Sequence, residues 1–167
     1  SVYNSMTSRL LVDKIEGKTT ASNVIMPTGH VLQIQRSSVN QTSHESFSSS
    51  SFTASSLSVD LTPKASGNKV LVQCHIGMGA HRTSGETETA LYIDGSNVSS
   101  TNGGSSYYWA GYWTPSDYNF HGGTGYYEYT TVDTSSHNFR LYVKATSNSF
   151  DLHKGASFVM ICTEVQA

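Results

Sequence analysis

Asn68-Lys69-Val70-Leu71-Val72-Gln73-Cys74-His75-Ile76-Gly77-Met78-Gly79 is the longest apolar-rich run in the chain, and it alternates without a break. Val70, Val72, Cys74, Ile76 and Met78 fall on one side, with Leu71, Gln73, His75 and Gly77 on the other. Successive side chains of a strand point to opposite faces, so this pattern predicts a β-strand with one face in a hydrophobic core. The C-terminal run SFVMICTEV has the same form, with Phe158, Met160 and Cys162 alternating against Val159, Ile161 and Thr163. The two runs are expected to be central strands of an all-β domain.

The pattern extends outward from this pair. HVLQIQR (His30 to Arg36) sets Leu32 and Ile34 against Val31, Gln33 and Gln35. SLSVDLTP carries Leu57, Val59 and Leu61 inward and stops at Pro63. Thr87 to Ile93 ends in Asp94-Gly95, the strongest hairpin signal present. FRLYVKA places Phe139, Leu141, Val143 and Ala145 on one face. Ser37 to Ser56 is polar, with Phe47 and Phe52 as its large apolar residues, and is expected to be an edge strand with a loop or a surface meander. Asn102-Gly103-Gly104 and His121-Gly122-Gly123 mark loops flanking the aromatic strands SYYWAGYW and GYYEYTTV. No helical period is sustained, and about eight to ten strands with frequent turns predict an antiparallel β-sandwich, most simply a jelly roll.

Composition narrows the function. At 167 residues the chain is long enough for one domain burying roughly 70% of its unfolded surface. Only 13% of residues are charged and the net charge is −2, so there is no basic field for nucleic acid. No run reaches the roughly 18 apolar residues of a membrane span, and the first residues lack the charged-then-apolar order of a signal peptide. Cys74 and Cys162 share faces with core residues and are expected to be two buried thiols, although neighbouring strands leave a bridge open.

No catalytic or cofactor motif appears. The seven histidines lack ligand spacing, so no metal site is expected; His75 is expected to be hydrogen-bonded where it lies, or to face a symmetry mate. Glu86, Glu88, Asp117, Glu128 and Asp151 are isolated among polar neighbours, there is no Gly-x-Ser-x-Gly elbow, and the paired glycines precede strands rather than a helix. The densest chemical feature is aromatic: Tyr107, Tyr108, Trp109, Tyr112 and Trp113, then Tyr126, Tyr127 and Tyr129. Such residues serve either as packing and subunit contacts or as a glycan or receptor site. In a carbohydrate-binding module, Tyr107, Trp109, Trp113 and Tyr127 would form an exposed platform.

Residues 1–29 differ from the remainder. Leu10, Leu11, Val12, Ile15, Val24 and Met26 are too sparse to make a core, so the segment is expected to be an extended arm, hinged at Pro27-Thr28-Gly29 and completed by other polypeptides. Residues 30–167 form the head. The succession VDKIEGKTT (Val12 on), PTGHVLQ (Pro27 on), LSVDLTPKASGNKVLV (Leu57 to Val72) and YIDG (Tyr92 to Gly95) resembles a group of tailed-phage fibre or appendage proteins over about the first 100 residues. That resemblance implies a non-enzymatic virion protein with a trimeric, tumour-necrosis-factor-like jelly-roll head. It also implies that the arm docks to other virion proteins of the tail or capsid, and that any host-surface glycan is met by loops near Asn102 to Gly104, Pro115 to Tyr118 and His121 to Gly125. A capsid decoration protein without a receptor is a further expectation of the same fold.

Overall fold

The computed structural model describes residues 28–40, 43–81, 87–98, 112–113, 120–145, 150–152 and 157–167. The arm residues up to Pro27, and Tyr107, Tyr108 and Trp109, lie outside them. In chain order the described strands are β1 (Val31–Asn40), β2 (Glu45–Phe47), β3 (Thr53–Leu61), β4 (Lys69–His81), β5 (Thr87–Ile93), β6 (Ser96–Asn97), β7 (Tyr112–Trp113), β8 (Phe120–Thr130), β9 (His137–Ala145), β10 (Phe150–Leu152) and β11 (Ser157–Val165). All pairings are antiparallel, in two sheets. The protein is an all-β antiparallel sandwich.

β4 holds the first sheet together. One of its edges pairs β8; the other pairs β11 along Lys69 to Ile76 and then β10 along Gly79 to His81. Beyond these lie β1 on β11 and β2 on β10, so the sheet is four strands deep at either end of β4. The second sheet runs β3-β9-β5, with β6 and β7 both on β5.

The expected inward residues do face one another across the sandwich. Val70, Val72, Cys74 and Ile76 from β4 and Phe158, Met160 and Cys162 from β11 meet Leu57, Val59 and Leu61 from β3 and Phe139, Leu141 and Val143 from β9, all buried. Each such side chain contributes about 1.5–3 kcal/mol by leaving water. Asp94-Gly95 forms the expected tight hairpin between β5 and β6, with φ of 50° and 78°, the two positive angles of a type I′ turn. The polar stretch Ser37 to Ser56 resolves into the end of β1, the short β2 and the start of β3. There Ser55 Oγ donates to the Leu141 carbonyl at 2.9 Å across a bulge.

Two expectations change, and the two buried thiols are borne out. A bulge between Val31 and Gln33 reverses the parity of β1, so Val31 and Ile34 share the outer side and Ile34 is 60% exposed. His121-Gly122-Gly123 is not a loop but part of β8, as is the whole of His121 to Gly125 proposed for host contact. Gly122 lies where β8 passes the irregular stretch of β4, close enough that a Cβ would stand 3.0 Å from the Ile76 carbonyl oxygen. The thiols of Cys74 and Cys162 are free: Cys74 lies opposite Met160 and Cys162 opposite Val72. Such diagonal neighbours stand about 7–8 Å apart, too far for a disulfide.

Gly77 faces the β11 backbone so closely that a Cβ would collide with the Ser157 carbonyl oxygen. Gly77→Ala is therefore expected to force β4 from β11 and cost about 1–3 kcal/mol, measured by urea unfolding. Burial pushes both thiols up to about 12 from 9.0. Below pH 9 they are protonated in folded and unfolded chains alike. From there to about 12 the unfolded chain sheds protons that the native one keeps, so stability falls with rising pH, by up to about 1.4 kcal/mol per unit for each thiol. Cys74→Ala/Cys162→Ala is expected to flatten that alkaline limb in unfolding curves, and the native thiols should resist alkylation at pH 8 until the chain is unfolded.

Candidate functional site

Register defines the outer face of the first sheet row by row. From the end bearing both Gly29 and Gln166, the rows read Val31-Val165-Lys69-Thr130, Ile34-Thr163-Leu71-Glu128, Arg36-Ile161-Gln73-Tyr126 and Ser38-Val159-His75-Thr124 across β1, β11, β4 and β8. Lys69 and Glu128 neutralise each other at 3.0 Å. The centre of the face, along β4 and β11 beyond that pair, is uncharged. Val31, Ile34 and Tyr126, at 46%, 60% and 56% exposure, are three of the four large apolar side chains left exposed among the described residues. A shallow hollow of about 210 Å³ lies between Gln73, His75, Thr124, Val159 and Ile161, with His75 Nδ1 3.4 Å from Thr124 Oγ1.

The outer face of the second sheet is different. Lys144 Nζ donates to both Glu88 oxygens at 3.1 and 3.2 Å, and Asn138 Nδ2 donates to Asp60 Oδ1 at 2.7 Å. Tyr92 stacks on Tyr142 at 3.8 Å between ring centroids, Phe52 leans on Tyr92 at 6.0 Å, and Lys144 stands over Phe52. These rings occupy one another's faces, and Glu88 and Ala90 are buried among the outward residues of β5, so this side is largely covered rather than open to water. Burial, and then the neighbouring Tyr142, raise the Tyr92 phenol above its ordinary range.

The aromatic cluster of the sequence divides. Tyr126 points out of the first sheet, whereas Tyr127 and Tyr129 point in and pack against the core. Tyr129 meets Phe139 and His137 edge-on at 5.7 and 5.4 Å. Tyr127 is thus a core neighbour rather than part of an exposed platform, because strand parity puts it on the side opposite Tyr126. Tyr112 and Trp113 pair with Glu88 and Thr87 in the second sheet, away from β8. Among the carboxylates singled out, Glu88 and Glu128 lie on the outer faces of opposite sheets and Asp151 is buried in β10. Glu86 and Asp117 lie outside the described residues. Among the described residues no cluster of His, Cys, Asp or Glu forms a metal site.

Two polar groups were missed in the sequence. Glu164 is fully buried at the end of β11, where Oε1 accepts from Lys64 N at 2.8 Å and Asn68 Nδ2 at 2.6 Å, and Oε2 accepts from Gln33 Nε2 at 2.6 Å. It ties β1, β11 and the β3–β4 connection at one end of the sandwich. His137 is buried between Asp94 Oδ2, 2.7 Å from Nδ1, and Asp133 Oδ1, 3.3 Å from Nε2, joining two turns. The Asp133 carboxyl is lowered first by the Ser135 backbone amide and also by His137. Both residues continue the inward parity of their strands, after Phe158-Met160-Cys162 and before Phe139-Leu141, and that parity was the available signal.

No protein-family model matches the chain, and no curated protein matches it. Among solved structures, a chain of dimeric latent PorU from Porphyromonas gingivalis is similar at 11% identity and a TM-score of 0.46. The match covers 86% of this chain but only 13% of that one. It identifies neither a family nor an activity.

Glu164→Gln is expected to leave one of these buried donors facing an amide N–H. The loss should be about 1–3 kcal/mol in guanidinium unfolding, with the fold retained.

Proposed function

We propose that the chain is a non-enzymatic structural protein of a tailed-phage particle: the head of a trimeric fibre or appendage on the tail or capsid, attached through its arm and displayed for host contact. The observation that carries the self-association is the contrast between the two outer faces. The β1-β11-β4-β8 face has an uncharged centre of half-buried Leu71, Val159 and Ile161 flanked by exposed Val31, Ile34 and Tyr126, while on the opposite face Glu88 and Ala90 are buried and Lys144 is paired with Glu88. Exposed contiguous apolar surface is characteristic of a contact with another protein.

The strand order supports the finer reading of the sandwich as a jelly roll of the tumour-necrosis-factor-like kind. β1-β11-β4-β8 opposes β3-β9-β5-β7, and the chain crosses repeatedly from one sheet to the other. The entering chain is held at one end, where Gly29 N donates to the Gln166 carbonyl at 2.7 Å and Gln166 N donates to that of His30 at 2.9 Å. Attachment through residues 1–29 at that end leaves the opposite end to face outward, and repeated weak sites on one particle would multiply avidity for a surface glycan. A decoration protein without a receptor shares all these features, and electron microscopy of the particle distinguishes it by placement.

In sedimentation velocity the protein is expected to run as a species of three chains. Ile161→Asp/Tyr126→Asp, which charges the face without entering the core, should return it to single chains with its β spectrum intact. A concentration-independent monomer for the unmodified protein would overturn the proposal.

A further inference from the structure

Arg36 stands apart from the other charges on the outer face of the first sheet. It is exposed on β1, and among the described residues its guanidinium makes no hydrogen bond, ion pair or ring contact. Its row reads Arg36-Ile161-Gln73-Tyr126, so the cation and the 56%-exposed Tyr126 ring occupy opposite margins of the face at one level. Three strand spacings, about 14 Å, lie between β1 and β8. Glu128 shares the β8 margin with Tyr126, about 7 Å away on the same side of the strand and one row nearer the Gly29 end. Lys69 holds its Oε1 at 3.0 Å and leaves Oε2 open. One margin is therefore cationic, and the other offers a ring face and a carboxylate oxygen.

These margins meet only in one kind of assembly. The chain enters β1 at the end where Gly29 N bonds to the Gln166 carbonyl, and copies attached to one particle must all present that end alike. A two-fold axis across the strands would point the ends in opposite directions. A ring that keeps them together turns about an axis along the strands, and each contact in it is heterologous, one surface of a copy against a different surface of the next. With the first sheets turned inward, the β1 margin of one copy meets the β8 margin of its neighbour, and rotation keeps every row at its own level. The opposed pairs are then Val31 with Thr130, Ile34 with Glu128, Arg36 with Tyr126 and Ser38 with Thr124. Of these, the third joins groups with a specific attraction, a guanidinium and an aromatic face.

We infer that Arg36 of each copy lies over Tyr126 of the next and donates to its Glu128 Oε2, fixing the level and the order of the copies in the ring. A guanidinium suits the place because its face stacks on a ring while its edge donates to a carboxylate. This contact presupposes the three-chain reading above, and adds to it which margins meet and which residue joins them.

Sedimentation velocity over a dilution series tests the contact. Arg36→Glu, which sets a carboxylate against Glu128 on an exposed position outside the core, is expected to raise the concentration of half-assembly about fivefold or more with an unchanged β spectrum. Arg36→Ala should weaken assembly severalfold in the unmodified protein and hardly at all when Tyr126→Leu/Glu128→Gln is already present. Where the unmodified protein forms three-chain species, an unchanged dilution curve for Arg36→Glu, or the same severalfold loss from Arg36→Ala in both backgrounds, would overturn the contact and leave the three-chain reading standing. A concentration-independent monomer for the unmodified protein would overturn both.

Discussion

Every in-or-out decision in this domain descends from the period-two geometry of one strand hydrogen-bonded on both edges. β4 carries its alternation to β8 on one side and to β11 and β10 on the other, because directly opposed residues of antiparallel strands point to the same face. Once Val72 and Cys74 point inward, Cys162, Met160, Tyr127 and Gly125 must do so too. A slip of one residue would expose Phe158 and bury His75, which is why a sheet with one buried face has little freedom of register.

The same constraint produces the asymmetry between the outer faces. Beyond Lys69, the outward positions of β4 and β11 are occupied by Leu71, Gln73, His75, Val159, Ile161 and Thr163, with no carboxylate, lysine or arginine among them. On β5 and β9 they are Glu88, Ala90, Tyr92 and Asn138, Arg140, Tyr142, Lys144, which bond to one another or to β3. One face is largely covered and the other stands open to solvent.

The end of the sandwich where β1 begins is thoroughly cross-bonded. Glu164 gathers three donors from two segments, Gln33 on β1 and Lys64 and Asn68 before β4. Thr131 adds backbone bonds with Gly67 and Asn68 and a hydroxyl bond to Ala65 at 2.9 Å. A buried carboxylate is tolerable only when such donors replace its water, and the result is a rigid base where the chain enters β1. Gly29 and His30, hydrogen-bonded to Gln166 at that base, fix where β1 begins.

Alternation alone determined the sandwich, because a two-residue period admits one way of burying Val70 to Ile76, Leu57 to Leu61, Phe139 to Ala145 and Phe158 to Cys162. Asp94-Gly95 declared its turn for an equally local reason, the tolerance of both residues for positive φ. The rest depended on what each strand lies beside. The bulge that turns Val31 and Ile34 to the same side is a mismatch with β11, and Gly122 looks like a loop glycine until the backbone of β4 is placed against it. The separation of Tyr126 from Tyr127 follows from strand parity on β8, and that of both from Tyr112 and Trp113 from which sheet each strand joins. Proximity in sequence measures only contour length, whereas a shared site requires a shared face, and only the tertiary pairing assigns faces.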